Sequence, residues 1–179
     1  MKNLYWIFSL LLVIMVSSCS SRQSLQQYFV SSSENPNFMS FDVPASLLNM
    51  EKVNLSEAQE KTASSLKKLN ILAFKKNEAN TADYEVQKAT IKTILKGDDF
   101  SELMKMNTAY GKATIQLKGD DDSIDEIVVY GDSDEKGLIL IRVLGNDMNP
   151  ASFVKLIKAM EKSELKGEGL EQLGNLFKN

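Results

Sequence analysis

Two acidic runs, Asp120-Asp121-Asp122 and Asp132-Ser133-Asp134-Glu135, are the densest concentrations of chemically useful side chains in the sequence. Carboxylates this close together can hold a hard cation through oxygen or serve as the acid and base of a hydrolase. Neither run has the ligand spacing of an EF-hand calcium loop. Each stands beside glycine between apolar stretches, and Asp and Gly are what turns use. The simpler reading is two solvated hairpin turns. Composition closes other routes to catalysis. The chain has no histidine, which removes Ser-His-Asp and Cys-His nucleophiles, imidazole bases and histidine-containing metal sites. The stretch from Gly167 to Gly174 looks like a phosphate loop only superficially, because its spacing is wrong and it follows a helical segment instead of a strand. Arg142 interrupts an apolar run. An unpaired charge there is costly, so an ion pair with Asp125 or Glu126 is expected. These readings together predict no catalytic residue, no metal and no cofactor.

The single cysteine is Cys19, in Val16-Ser17-Ser18-Cys19. Ahead of it lie one lysine, Lys2, and an apolar stretch from Leu4 to Val16. One charge, a short apolar region and small residues before a cut site make an export signal. The stretch is too short for a comfortable membrane span, which needs about 20 apolar residues. Val16-Ser17-Ser18-Cys19 resembles a bacterial lipobox, with Val16 where leucine is commoner. It places cleavage between Ser18 and Cys19 and makes Cys19 the lipid attachment site. A disulfide within the chain needs a second cysteine, and a free thiol beside a cleavage site is a liability in an oxidising compartment. One acyl chain binds a bilayer reversibly and two or three hold it firmly. Cys19 is thus read as an anchor, with the membrane as partner. The expected organisation is a signal peptide over 1–18, a lipidated tether over 19–24, one domain over 25–162, and a C-terminal tail or weak amphipathic helix over 163–179. The net charge of −3 is spread along the chain and gives no electrostatic footprint for nucleic acid.

The elements that must position these residues follow from periodicity. Leu25, Tyr28 and Phe29 lie at helical spacing, and "NFMSFDV" alternates up to Pro44. Ser56 starts a helix to about 67, and "NILAF" at 70–74 is a strand. Thr81 caps a longer helix with Tyr84, Lys88, Ile91 and Leu95 on one face and Gly97 beyond its end. There Lys88 can lay its stem along the core edge. Asp99 and Glu102 have capping-box spacing and predict a short helix carrying Leu103 and Met104. From Ala109 the period changes to two, and three strands follow at about 108–118, 124–130 and 138–145. Leu138 to Leu144 is apolar on both faces except at Arg142, which marks an inner strand. Asn149-Pro150 opens a last helix with Phe153, Leu156, Ile157 and Met160 as its stripe. The expectation is an α+β domain: an antiparallel-rich sheet of about five strands, including a three-stranded meander, with helices packed mainly on one face.

A lipobox, an early "QQYF" helix, then "LKKLNILAF", "SELMKM", "IDEIVVYGD" and "LILIRVLGN" in that order resemble the DUF4252 proteins, small envelope proteins of unassigned function. The resemblance covers roughly residues 25 to 160 and implies one domain and an envelope address. It carries no functional residues. In the lineages where such proteins occur, an acidic run after the cysteine tends to mark export to the cell surface. Here no acid appears before Glu34, which implies an outer-membrane protein facing the periplasm. The function expected is a non-catalytic binding or interaction module for an unidentified envelope protein or ligand. Its tools would be the sheet face free of helices and the C-terminal segment with Leu165, Leu170, Leu173, Leu176 and Phe177. Two alternatives stand beside it. One is a carboxylate-dependent hydrolase of envelope sugars, which needs two acids facing a cleft. The other is a carrier of a hydrophobic ligand, which needs an enclosed apolar cavity.

Overall fold

The structure, a computed structural model, describes residues 23–48, 55–108, 111–120 and 123–162. Ser18, Cys19 and the C-terminal glycines and leucines lie outside them.

Helix α1 (Leu25–Ser33) opens with a capping box. The Ser24 hydroxyl accepts the Gln27 N–H at 3.2 Å, and the Gln27 side chain accepts the Ser24 N–H at 2.9 Å. Two donors that the first turn would otherwise leave without partners are thus satisfied. Strand β1 (Phe38–Pro44) follows, then a short 3-10 turn and helix α2 (Glu57–Ser65). Strand β2 (Leu66–Lys75) is longer than "NILAF" suggests, because the preceding helix stops at Ser65. Helix α3 (Thr81–Leu95) has Asn80 at its N-cap and Thr81 as its first residue. Four strands come next: β3 (Ser101–Thr108), β4 (Gly111–Asp120), β5 (Ser123–Ser133) and β6 (Gly137–Met148). Helix α4 (Pro150–Lys162) begins with Asn149 Oδ1 accepting the Ser152 N–H at 2.9 Å.

The six strands form one sheet in the order β1-β2-β6-β5-β4-β3, with every neighbouring pair antiparallel. The α+β class stands, with one strand more than the expected five and a four-stranded meander from β3 to β6. The extra strand is β3, where the capping-box reading predicts a helix. Met104 and Met106 pair opposite Ile115 and Ala113, while Lys105 and Asn107 point to the other side. "LMKMN" therefore also alternates, and covering the edge of β4 outweighs a local cap.

Side chains alternate across a sheet, so the sheet has two faces. On the first, Leu72 and Phe74 of β2, Leu138 and Leu140 of β6, and Val128 and Tyr130 of β5 meet α1 and α3 through Leu25, Tyr28, Phe29, Tyr84, Ile91 and Leu95. On the second, Ile115, Ile127, Val143 and Met148 meet Phe153 and Leu156 of α4. Helix α2 is joined to α4 there through Gln59 Nε2, which donates to the Lys155 carbonyl at 3.1 Å. The expectation of helices mainly on one face is therefore wrong. Strands β2, β5 and β6 are apolar on both sides, so each side needs a cover. The inner position expected for Leu138–Leu144 holds, since β6 lies between β2 and β5. The turn into β6 requires Gly137: its φ is 121°, and a Cβ there would run into the Phe74 carbonyl oxygen.

Candidate functional site

Helix α3 covers the first face only as far as β5, leaving β4 and β3 beside it as the floor of a groove of about 590 Å³. One wall is Lys92 and Leu95 of α3 with Lys96, the C-cap that follows it. The floor is laid out by strand register. Across β3, β4 and β5, Lys105 faces Thr114 and Thr114 faces Tyr130, while Asn107 faces Lys112 and Lys112 faces Asp132. In the next row of that face, Glu102 lies opposite Gln116. A row of polar side chains on three rigid strands is a more exact template than a loop of the same residues.

Two residues that line this groove each have one polar atom sealed from solvent, and neither atom has a hydrogen bond of ordinary length among the described residues: the Tyr130 hydroxyl and Gln116 Oε1. Tyr130 is only 5% exposed. Burial, and then the nearby Asp132 carboxylate through its charge and as an acceptor facing the phenol, push its hydroxyl well above the usual phenol range, so it stays a neutral donor. Gln116 is held by its other end, with Nε2 donating to the Leu95 carbonyl at 3.1 Å. The lysines divide into two kinds. Lys92 lies 3.5 Å from Asp132 and Lys105 lies 2.8 Å from Glu102, whereas Lys96 and Lys112 have no acid within ion-pair distance among the described residues.

Asp132 and Asp134 are not plain solvated turns. Lys88 reaches along the core edge, as its place on α3 predicts, and contacts Asp132 at 2.9 Å and Asp134 at 2.5 Å. The Asp132 side chain is 17% exposed. Burial opposes the charge on Lys88, but hydrogen bonds to Asp134 and Asp132 outweigh it and hold the ammonium above its ordinary value. The same bond keeps Asp134 below the usual carboxylate range. At the far end of α3, Asp83 receives Gln87 at 2.9 Å, Asn37 at 2.8 Å and Asn35 at 3.3 Å, and Gln87 above all lowers its pKa.

Arg142 finds the expected acid. Its Nε and Nη2 contact the two oxygens of Glu126 at 2.6 and 2.8 Å, a two-point pair with side chains 15% and 7% exposed. Asp125 is exposed and sits at the irregularity where the register of β5 shifts between Ile124 and Glu126. Asp121 and Asp122 lie outside the described residues, and no described group of three or more His, Cys, Asp or Glu is placed to hold a metal ion.

Residues 28–156 match the model of a family described as Domain of unknown function (DUF4252). The chain belongs to the DUF4252 family. No curated protein and no solved structure matches it. In this DUF4252 chain the matched region runs from α1 into α4 and includes the whole sheet, the groove and the Arg142–Glu126 pair. Cys19 lies outside it. No described helix is long and apolar enough to cross a membrane. Sequence reasoning passes over Tyr130 and Gln116. For Gln116 the available signal is the polar side of "AYGKATIQL", which reads as solvent-facing until a helix is known to stand beside it.

Proposed function

We propose that this DUF4252 chain is a lipid-anchored envelope protein whose domain acts as a non-catalytic binding module, with the α3–β4–β3 groove as its binding surface. The observation that carries the reading is the open groove of about 590 Å³ on rigid strands, with the exposed Lys96 and Lys112 lining it and no acid within ion-pair distance of either among the described residues. The hydrolase alternative fits the groove poorly. A general acid needs a protonated carboxyl in apolar surroundings, but Asp132 is bracketed by Lys88 and Lys92, and Glu102 by Lys105.

Anchoring rests on the sequence around Cys19 and on how few residues separate it from Ser24, the N-cap of α1. The domain would then work next to its own membrane. Cys19→Ala should abolish acyl labelling and move the protein to the soluble fraction with its melting temperature unchanged. Retention in salt-washed membranes would refute the anchor. Hydrogen exchange in isolated envelopes against purified protein tests the binding surface: extra protection is expected at β4 and the end of α3, and protection confined to other elements would remove the groove from consideration.

A further inference from the structure

We infer that the outer surface of the α1–α3 helix layer lies on the bilayer that holds the anchor, so that the partner of this surface is lipid. The inference rests on the anchoring at Cys19 proposed above and adds the face that meets the membrane.

The two helices are tied side by side. The Tyr28 hydroxyl donates to Gln87 Oε1 at 2.8 Å, and Asn35 Nδ2 donates to Asp83 Oδ2 at 3.3 Å. Their inner sides meet the sheet through Leu25, Tyr28, Phe29, Tyr84, Ile91 and Leu95. Their outer sides carry no charge. Helix α1 has no charged residue along its whole length. On α3, Ala82, Val86, Ala89 and Thr93 recur every three or four residues along the line opposite Tyr84, Ile91 and Leu95. Asp83, Glu85, Lys88 and Lys92 all fall off that line. A helix face kept in water ordinarily carries charged residues, and 25% of this chain is charged.

What replaces charge is apolar or already satisfied. Val30 of α1 and Val86 of α3 are the exposed large hydrophobic residues among those described, at 64% and 60%. The hydroxyls of Ser31, Ser33, Thr90 and Thr93 donate to backbone carbonyls of their own helices at 2.7–3.1 Å, so none of them needs water as an acceptor. Between the start of α1 and the end of α3 the surface opens into a cleft of about 520 Å³, with Leu25, Ala89, Ile94 and Phe100 in its lining.

The place of this surface selects lipid. Gln23 and Ser24 line the cleft, and Ser24 stands five residues after Cys19. Five residues reach at most about 18 Å however they run, so this corner of the layer stays close to the headgroups. A protein partner would be expected to use aromatic or arginine anchors, and the outer stripe has neither. Lys92 and Lys96 lie on the flank of α3 that walls the α3–β4–β3 groove. Lysines beside an apolar face suit a lipid interface, where the ammonium groups reach the headgroups. A domain seated in this way holds the mouth of the groove at headgroup level.

The test uses the acylated mature chain on vesicles of phosphatidylethanolamine and phosphatidylglycerol. Acylation blocks the Cys19 sulfur, so an added cysteine takes a nitroxide label selectively. Val30→Cys, Val86→Cys and Thr93→Cys report on the outer surface, with Glu57→Cys and Lys75→Cys, exposed elsewhere, as controls. An interfacial face sinks about 5–10 Å into the headgroup boundary, so collisions with a water-soluble nickel chelate should fall at least about threefold at the three sites while oxygen collisions rise. The controls should stay open to the chelate. Val86→Asp with Ala89→Asp should restore chelate access at a Thr93→Cys label and leave sedimentation with the vesicles unchanged. Outer labels as open to the chelate as the controls would overturn the inference. So would labels shielded from chelate and oxygen alike, which would mean a protein cover such as a second copy, or a double variant whose label stays in lipid. Failure of the acylated chain to sediment with vesicles removes the anchor and the seat together, whereas sedimentation with open labels removes the seat alone.

Discussion

The same strands carry two opposite surfaces. On the first face β3, β4 and β5 present Lys105, Thr114 and Tyr130 in one row and Asn107, Lys112 and Asp132 in the next. On the second face the neighbouring residues line up as Met104, Ile115, Val129, Ile141, Ile71 and Phe41, then Met106, Ala113, Gly131, Ile139, Ala73 and Met39. Those two rows run apolar across all six strands. Along them Ile115, Ile71 and Ala73 are buried, and Met106, Gly131, Ile139 and Phe41 are only half-buried. The difference teaches how polarity is admitted. On the first face a polar side chain is either matched by a partner, as Arg142 is by Glu126, or placed beside the open groove. On the second face alternation admits no polar side chain in these rows, whether or not a described helix lies above them.

The largest expected effect tests the matching. Glu126→Ala leaves a buried guanidinium alone and should cost about 3–5 kcal/mol, whereas Glu126→Leu with Arg142→Met should come close to wild type. Urea denaturation measures both, and a double variant as unstable as the single one would show that the pair does more than compensate charge. Next come neighbours on opposite faces. Leu140→Ala, at a fully buried site, should cost about 3 kcal/mol, and Ile139→Ala about 1 kcal/mol. Equal losses would mean that the second face is covered as well as the first.

A smaller effect concerns pH. Asp83 has a lowered pKa, so its contribution is complete above the unfolded value near 3.9 and is lost as pH falls through the folded value. Lys88 has a raised pKa, so its contribution is complete below about 10.4 and fades as pH climbs past it. Asp83→Asn should cost up to about 1 kcal/mol at neutral pH, after allowance for partial exposure. It should also flatten the acid limb of a melting-temperature profile while leaving the alkaline limb in place. An unchanged acid limb would remove the Asn35–Asn37–Asp83 clamp from the account. The smallest shift belongs to Tyr130→Phe. Removing a buried hydroxyl without a partner should leave stability equal or up to about 1 kcal/mol higher, and a clear loss would mean that the hydroxyl is bonded in solution.

Much of this was legible in the sequence because it depends on period. Arg142 could be paired with an acid of the next strand, Asp125 or Glu126, because a charge in an apolar strand needs a partner, and the structure chooses Glu126. Lys88 was placed at the core edge by its spacing from Tyr84 and Ile91. What failed depends on partners distant in sequence. Asp99 and Glu102 satisfy the spacing of a cap, and only the edge of β4 decides that the segment is a strand. Asp132 reads as a turn residue until Lys88 is brought to it. The groove was least legible, since Tyr130 and Gln116 become a site only through α3, which is assigned to that face by packing. Cys19 is the converse case, read from its immediate neighbours and independent of the fold.

The strand order sets a schedule for folding. Strand β2 finds its second neighbour only in β6, with Ile71 opposite Ile141, while β3 to β6 are joined by consecutive hairpins. Contacts close in sequence form first, since closing a long loop must be offset before distant contacts reward it. The meander is therefore the natural nucleus, and α1, β1 and β2 dock onto it afterwards. Made from the N-terminus, the chain synthesises first the half that it completes last. Until β6 emerges, the edge of β2 that will face it is open to pairing with any other extended segment. A chaperone that shields unpaired strand edges would act on this protein in that interval, and a truncation before β6 should aggregate while one after α4 should not.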